Sequence, residues 1–363
     1  MIPSRTGPQI CSVGRALPEH HVDQDSVLSA VHEVWRKQPN AQARRATIAR
    51  LEPLHRALGV QERYFALPFS AYEEKRSFAQ RNDVWIDVAL DIGERAIVEA
   101  LGKAGLGPKD VDHLFFVTVT GIAAPNIDAR LVNRLRMRPD VKRTPIFGLG
   151  CVAGAAGTAR AADYLRAFPH ETAVLLSVEL CTLTFQLDDI SIPNALASGL
   201  FGDGGAAVVL AGAARSEGRG PRVVASCSVF YPDTEEVMGW QVVDGGFKIV
   251  LSGGVPRLAQ EHMREDVDKF LATHGLRRSD IAHWIAHTGG PKVLVAFEEA
   301  LDLPDGALVR SWNSLRRFGN LSSASVLFVL SEVLDERAGA PGDYGVLLAM
   351  GPGFCSELVL LRW

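Results

Sequence analysis

The pattern of hydrophobic and polar residues divides this chain into two kinds of segment, which alternate along the sequence. Two long segments, Val84 to Ala104 and Val255 to His274, carry apolar residues at helical spacing, and a glycine that can take left-handed cap geometry follows each. Short continuous apolar runs are typical of buried strands. They cover Asp112 to Val119, Ala173 to Val178, Gly205 to Leu210, Ile281 to Ala286 and Tyr344 to Met350. This alternation predicts an α/β fold with buried strands.

The pattern also repeats within the chain. The segment from Gly105 to Leu114 reappears from Gly275 to Trp284, with glycine, leucine, aspartate and histidine at matching places. Phe147-Gly148 and Phe318-Gly319 form a second matching pair at nearly the same separation, each ahead of a helix rich in small residues. An internal repeat of this kind indicates duplicated structural units. The chain is predicted to form two similar halves, residues 1–215 and residues 216–363.

Composition and charge exclude several classes of protein. The chain of 363 residues is 47% hydrophobic and 22% charged, which is typical of a globular protein. Its net charge of -4 gives no reason to expect binding to nucleic acid or to an anionic membrane surface. No apolar run approaches the ~18 residues of a membrane span, and the first residues lack the apolar segment of a signal peptide. We therefore expect a cytoplasmic protein.

One cysteine stands apart from the others. The five cysteines are scattered without a C-x-x-C pair, so neither a disulfide framework nor a metal site is predicted. Cys151 follows Phe147-Gly-Leu-Gly150, where glycines permit a tight turn from a strand into a helix. The helix N-terminus favours a thiolate, the nucleophilic form of cysteine. The other interpretation, a buried structural cysteine, is the one we assign to Cys11, Cys227 and Cys355.

Two further residues could complete a catalytic set with Cys151. His287 lies at the end of a predicted buried strand, where side chains reach the crevice at the carboxyl edge of a sheet. Taken alone, it could equally be a hydrogen-bonded core or loop histidine. Asn320 lies at a glycine-rich helix start and could be only a helix N-cap. Each residue is weak evidence by itself.

Several motifs occur together in the chain. They are Gly-Cys151-Val-Ala-Gly, Phe201-Gly-Asp-Gly204, Trp284-Ile-Ala-His287-Thr-Gly-Gly-Pro291, Phe318-Gly-Asn320-Leu-Ser-Ser and Gly351-Pro-Gly353. In this combination the chain resembles the type III polyketide synthases, the chalcone-synthase-like branch of the thiolase fold, over almost its whole length. The resemblance implies a thiolase-like fold layered α/β/α/β/α and a catalytic triad of Cys151, His287 and Asn320. It also implies a homodimer that uses coenzyme A (CoA) thioesters without a metal or redox cofactor.

The resemblance implies an iterative reaction. Cys151, with its pKa lowered by His287, would accept an acyl group from CoA, and malonyl-CoA would then lose carbon dioxide to give an enolate. His287 and Asn320 would donate hydrogen bonds to the enolate oxygen. The resulting carbanion would attack the acyl-cysteine, and further rounds and a cyclisation would follow without a carrier protein.

The same resemblance assigns residues around the triad. Phe201 and Phe247 match gatekeeper phenylalanines between the CoA tunnel and the cavity, although both could be ordinary core residues. The positions expected to line the cavity or tunnel are Thr118, Val119, Thr120, Ala124, Cys181, Thr184, Gly351, Pro352 and Gly353. Several are small, which favours an apolar tunnel, a long-chain fatty acyl starter and an alkylpyrone or alkylresorcinol product. The expected CoA contacts are Arg50, Arg56, Gly289 and Gly290, although a solvated helix face also explains the arginines.

The amino-acid sequence is also compatible with three other functions. A β-ketoacyl synthase III uses the same fold and triad for one condensation with malonyl on a carrier protein. A catalytically silent partner subunit would be expected to lack a triad residue, and here all three are present. A thiol hydrolase is conceivable from cysteine and histidine alone, but Asn320 suits carbanion chemistry better.

Overall fold

The computed structural model describes residues 7–37, 41–215 and 220–363. Its strands are β1 (Gln9–Ala16), β2 (His20–Asp23), β3 (Glu62–Phe65), β4 (His113–Thr118), β5 (Lys142–Phe147), β6 (Thr172–Leu180), β7 (Asp203–Ala211), β8 (Arg222–Phe230), β9 (Met238–Val243), β10 (Gly246–Leu251), β11 (Ile281–Ala286), β12 (Tyr344–Gly351) and β13 (Cys355–Arg362). Its helices are α1 (Gln24–Lys37), α2 (Ala41–Ala57), α3 (Phe69–Tyr72), α4 (Phe78–Ala104), α5 (Ile127–Arg134), α6 (Ala153–Ala167), α7 (Ile192–Leu200), α8 (Gly254–Ala272), α9 (Pro291–Leu301), α10 (Val309–Phe318) and α11 (Ser325–Asp335).

The predicted strands and both predicted long helices are confirmed, with small shifts at their ends. The largest shift is at the start of α4, which begins at Phe78 rather than Val84 because Ser77 and Gln80 form a capping box there. Gly105 and Gly275 have φ angles of 69° and 70°, the left-handed conformation expected of helix C-caps. Within the described ranges, no helix is long and apolar enough to cross a membrane.

The main sheet repeats one strand arrangement in its two halves. Across the described ranges it has nine strands in the order β11-β12-β13-β8-β1-β7-β6-β4-β5. In the first half β4 and β6 are parallel, while β6-β7 and β7-β1 are antiparallel. In the second half β11 and β12 are parallel, while β12-β13 and β13-β8 are antiparallel. The predicted boundary after residue 215 borders residues 216–219, which lie outside the described ranges, so its position stays a prediction.

The helices form layers around these two half-sheets. Successive strand residues point to opposite faces. Leu175 accordingly joins the core around α6 and α11, whereas Leu176 joins the core around α4. Leu347 likewise joins the core around α6 and α11, whereas Leu348 packs with α8 and α9. The arrangement is the layered α/β/α/β/α fold that the sequence predicts.

The layering brings one element from each half to the centre. The turn from β5 into α6 carries Cys151, and the loops after β11 and α10 carry His287 and Asn320. A smaller unit of α1, α2 and the β2-β3 ribbon packs beside α7 around Trp35 and Leu51. The candidate site therefore lies between the halves and next to this smaller unit.

Candidate active site

Cys151 lies in a tight turn whose shape depends on glycine. β5 ends at Phe147, and Gly148 and Gly150 follow with φ angles of 97° and 56°. A Cβ atom at Gly150 would lie 2.7 Å from Cδ of Pro352, so a side chain has no room there. Cys151 is the middle residue of a short 3-10 turn, Gly150–Val152, that leads directly into α6, and its side chain is 6% exposed. The sulfur is thus held at a helix start, as the glycine pattern predicts.

Contacts between neighbours join the three predicted catalytic residues. The Cys151 thiol donates to Oγ of Ser322 at 3.6 Å, and the Ser322 backbone N-H donates to Oδ1 of Asn320 at 2.8 Å. Nδ2 of Asn320 donates to the Gly289 carbonyl at 3.5 Å, and the Gly289 N-H donates to the His287 carbonyl at 2.9 Å. The structure therefore brings Cys151, Asn320 and His287 into one site.

His287 has unused hydrogen-bonding capacity in this site. Its backbone N-H donates to the Leu348 carbonyl at 2.9 Å, which extends the β11-β12 pairing by one residue. The side chain is 3% exposed, and neither ring nitrogen has a hydrogen-bond partner among the described residues. Buried polar atoms are normally paired. A group arriving from a substrate would pair these nitrogens.

The charge state of the site differs from the sequence-based expectation. Burial raises the pKa of the Cys151 thiol to about 12, although hydrogen bonds with Ser322 and Asn320 lower it in part. Burial also lowers the pKa of His287 to about 3. The expected lowering of the Cys151 pKa by His287 is therefore wrong for this structure. His287 is neutral and the thiol is paired with Ser322, so no positive charge offsets the burial of Cys151.

Asn320 fits both of the sequence interpretations. It is 1% exposed, and its Oδ1 accepts from the Ser322 N-H and so supports the start of the short 3-10 turn, although Leu321 occupies the N-cap position itself. Its Nδ2 donates a long bond to the Gly289 carbonyl, and its amide also interacts with the Cys151 sulfur, so an N-H faces the place that a substrate oxygen would take. Ser322 itself has a φ angle of 49°, which is uncommon for a residue with a side chain. Such outliers cluster at functional sites.

Glu179 is a buried carboxyl group beside the nucleophile that sequence reasoning missed. Its Oε2 accepts from the backbone N-H of Val119 at 3.1 Å and from Oγ1 of Thr120 at 2.9 Å, while Oε1 accepts from Ser323. Burial raises its pKa to about 7, and its negative charge raises the pKa of Cys151. A lone glutamate inside the apolar strand Thr172–Leu180 was the available signal.

Glu179 makes stability depend on pH in a defined way. Its pKa rises from an ordinary 4.5 to about 7 on folding, so its contribution is fully present below pH 4.5 and is lost as the pH rises through 7. We expect Glu179→Gln to remove that loss, so the Tm difference between variant and wild type should grow in favour of the variant between pH 4.5 and 7. Thermal unfolding across this range checks it. A Tm difference that does not vary with pH would contradict the prediction.

The predicted cavity residues separate into groups. Cys181, Thr184 and Phe201 line one apolar pocket, together with Ile249, and it extends to Val27 and Val31 of α1. Phe247 lies apart, in a second cavity that Thr120 and Thr184 also line, with its ring centroid 5.2 Å from that of Phe78. Thr184 is thus common to both cavities.

Other predicted cavity positions have different surroundings. Thr118 and Val119 bind Glu179, through a hydroxyl and a backbone N-H. Ala124 is exposed in the described chain and does not line either of these two pockets, so its place in the cavity stays a prediction. Ala124 lies on the loop after β4, where Gly121 packs on the Trp85 ring before the chain reaches the surface.

The C-terminal loop supports the nucleophile turn. A Cβ atom at Gly351 would lie 2.7 Å from the Val152 nitrogen, and the Pro352 ring fills the space at Gly150. Gly353 follows with a φ angle of 148°. These residues therefore abut the turn that carries Cys151, and none of the three lines the apolar cavity.

The predicted CoA contacts lie on two elements. Gly289 is next to the His287 ring, and Gly290 has a φ angle of 137° at the start of α9. Arg50 is exposed on α2, whereas Arg56 is paired with Glu52 at 3.0 Å. Arg56 is thus partly neutralised, and all four CoA contacts stay predictions.

Comparisons with known proteins agree with this geometry. The models "Chalcone and stilbene synthases, N-terminal domain" and "Chalcone and stilbene synthases, C-terminal domain" match residues 4–214 and 222–363. The chain is 49% identical to 1,3,6,8-tetrahydroxynaphthalene synthase of Streptomyces peucetius subsp. caesius, over 98% of this chain and 93% of that one. It is 35% identical to a putative chalcone synthase of Bacillus subtilis, over 98% of each chain.

Solved structures give the same result. The 1,3,6,8-tetrahydroxynaphthalene synthase of Streptomyces coelicolor, titled a bacterial type III polyketide synthase, superimposes with a TM-score of 0.89 and 29% identity over 98% of this chain and 99% of that one. PKS-I of the brown alga Ectocarpus siliculosus superimposes with a TM-score of 0.91 and 27% identity over 100% of both chains. This chain therefore belongs to the chalcone and stilbene synthase family, the type III polyketide synthases, and is a condensing acyltransferase.

Proposed function

We propose that this enzyme uses malonyl-CoA as both starter and extender and forms 1,3,6,8-tetrahydroxynaphthalene. The observation that carries this proposal is the 49% identity, over nearly the whole chain, to a synthase of that compound. The ten ring carbons of a naphthalene correspond to five two-carbon units, so malonyl-CoA alone supplies the skeleton. The long-chain starter that the sequence favours becomes the second candidate.

Loading begins from the neutral pair of Cys151 and His287. As CoA thioester enters, the thiol proton moves to a ring nitrogen of His287, which has no other partner among the described residues. The sulfur attacks the thioester carbonyl, the carbon-sulfur bond to CoA breaks, and the proton leaves with the CoA sulfur. The product is an acyl-Cys151 and free CoA.

Decarboxylation needs donors for a developing negative charge. A second malonyl-CoA loses carbon dioxide, and the electron pair of the broken bond forms an enolate. A ring N-H of His287 and the Nδ2-H of Asn320 stabilise the enolate oxygen. The buried rings of Phe201 and Phe247 provide apolar walls that favour the departure of neutral carbon dioxide over retention of the carboxylate.

Chain growth repeats these two steps. The enolate carbon attacks the acyl-Cys151 carbonyl, which forms a carbon-carbon bond and frees the thiolate to be loaded again. Each of the four extension rounds releases one carbon dioxide and one CoA, and the starter malonyl loses its own carboxyl group as a fifth carbon dioxide. Ring closure at the last thioester carbonyl forms a carbon-carbon bond and expels the thiol, and aromatisation releases one water. This route uses no metal, redox cofactor or carrier protein.

A long-chain acyl starter is favoured by one separate observation, the apolar cavity between Cys181 and α1. Its lining is mostly apolar and includes Phe65, Phe69 and Ile249. Each methylene buried in such a cavity contributes roughly 0.8 kcal/mol, so an alkyl chain would bind there. The enzyme would then form alkylpyrones or alkylresorcinols.

Product analysis tests the two candidates together. Wild-type enzyme is incubated with malonyl-CoA alone, and separately with acyl-CoA starters of six to eighteen carbons, and the products are identified by mass spectrometry. Tetrahydroxynaphthalene, or its oxidation product, from malonyl-CoA alone would support the first candidate. Alkylpyrones or alkylresorcinols, with no aromatic product from malonyl-CoA alone, would overturn it in favour of the second.

The homodimer also stays a prediction. In the described chain β5 is an edge strand of the sheet and ends at Phe147, which is 54% exposed. An open strand edge with an exposed aromatic residue is a surface that a second copy can cover by strand pairing. Sedimentation velocity would show twice the chain mass if this is correct.

A further inference from the structure

Arg63 is a buried arginine outside the predicted site. It lies on β3 and is 0% exposed. Its Nη1 donates to the Phe201 carbonyl at 3.2 Å and to the Ser198 carbonyl at 3.3 Å. Burial lowers its pKa to about 9, so the guanidinium is still charged at neutral pH. A cation therefore sits directly behind the proposed gatekeeper Phe201.

The carbonyls that Arg63 binds belong to the end of α7. Two other buried side chains bind the same helix turn: Gln24 donates to the Gly199 carbonyl at 3.1 Å, and the His55 ring lies 3.2 Å from the Ala195 carbonyl. The C-terminus of a helix carries partial negative charge, which a cation stabilises. Arg63 is the charged member of this set, and it alone reaches Phe201.

Backbone hydrogen bonds connect the residues on either side of Phe201 to Asn320. The Gly202 N-H donates to the Asn320 carbonyl at 3.1 Å, and the Asn320 N-H donates to the Leu200 carbonyl at 2.9 Å. A Cβ atom at Gly202 would lie 3.2 Å from Cβ of Arg63 and 2.5 Å from the Phe318 carbonyl. Phe201 and Gly202, the two residues before β7, are thus packed between Arg63 and the segment that carries Asn320.

The buried guanidinium of Arg63 is incompletely paired. Nε and Nη2 of Arg63 have no hydrogen-bond partner among the described residues, and Asp203 interacts with Arg63 only through its charge. A buried cation with incomplete pairing costs desolvation, and apolar residues of similar volume often stabilise a core as well or better. Its placement points to a role in the site.

We propose that Arg63 is a positioning residue that holds Phe201 and Asn320 in one arrangement relative to Cys151. This inference rests on the roles proposed for Phe201 and Asn320, but it does not depend on the starter. Because a displacement near 1 Å can cost about a hundredfold in rate, loss of the guanidinium should act on decarboxylation.

The test compares Arg63→Met and Arg63→Lys with Arg278→Met. Arg278 is a matched control because its guanidinium also binds a backbone carbonyl, that of Leu301, but lies far from Phe201 in the chain and in the sheet order. We expect Arg63→Met to lower kcat for malonyl-CoA decarboxylation about a hundredfold, with little change in KM. Arg63→Lys, which keeps the charge, should lose less. Alkylation of Cys151 by iodoacetamide should keep its wild-type rate, and Arg278→Met should keep its kcat.

Folding and function are separated by further measurements. If Arg63→Met does not fold, two other variants test the role of Arg63. The first is Arg63→Lys, and the second combines Arg63→Met with Asp203→Asn, so that both buried charges are removed together. Wild-type kcat in any folded Arg63 variant would overturn the proposal, as would an equal loss of decarboxylation and Cys151 alkylation. A wild-type enzyme that decarboxylates malonyl-CoA but makes no tetrahydroxynaphthalene contradicts the starter proposal and leaves this comparison intact.

Discussion

Replacing Cys151 by alanine is expected to lower polyketide formation by at least about 10⁴-fold, because no other group in the turn can hold the growing acyl chain. The neighbouring hydroxyl of Ser322 binds the thiol at 3.6 Å and has no base of its own. Decarboxylation of malonyl-CoA should persist at a reduced rate, since His287 and Asn320 remain. Product formation and carbon dioxide release, measured in parallel, check both parts.

A second cysteine variant serves as the control for this prediction. Cys227 is half-buried on β8, away from the turn that carries Cys151. Cys227→Ala should therefore keep wild-type turnover and remain sensitive to iodoacetamide, whereas Cys151→Ala should lose the alkylation that inactivates the enzyme. Comparable polyketide formation by Cys151→Ala and Cys227→Ala would show that Cys151 is not the nucleophile.

Replacing Asn320 by alanine or aspartate should lower decarboxylation by about two to three orders of magnitude, the cost of one oxyanion donor. The two variants differ in which hydrogen-bonding groups of Asn320 they keep. Aspartate keeps an oxygen that can cap the Ser322 N-H, the bond of 2.8 Å, but it has no amide N-H. Alanine loses both. The rate constants for carbon dioxide release from malonyl-CoA measure the effect.

The aspartate variant separates the two interpretations of this residue. If Asn320 acts as a donor, both variants should lose activity to a similar extent while Asn320→Asp keeps the thermal stability of the wild type more closely. If Asn320 were only a cap, Asn320→Asp would retain wild-type decarboxylation. That outcome would remove Asn320 from the catalytic set.

The sequence predicts the framework of the site because that framework depends on local backbone rules. The glycines before Cys151 require left-handed φ angles, and Gly105 and Gly275 mark equivalent helix ends in the two halves. The apolar runs predict strands for the same reason, since continuous burial on both faces leaves no polar alternation. These features predict the α/β halves and place Cys151, His287 and Asn320 at the ends of elements. The layered fold and the catalytic set of these three residues were implied by the family resemblance.

The remaining features depend on contacts between distant segments. Glu179 and Arg63 are ordinary residues in their strands until α7, β4 and the loop after α10 surround them. The exposure of Ala124 depends on the path of the loop after β4, which spacing along the chain does not give. The charge state of Cys151 and His287 depends on burial from both halves, which no short motif contains.

The central place of β1 has a consequence for folding kinetics. Gln9 pairs with Ala211 in β7 and with Arg222 in β8, so the first strand of the described chain is the bridge between the two half-sheets. During synthesis β1 has no partner strand in this sheet until β7 is complete, when more than half of the chain has been made. Contacts of such long sequence separation slow folding and leave a strand edge open to other chains meanwhile. The step that joins the two halves, and so assembles the active site, is therefore expected to be late in folding.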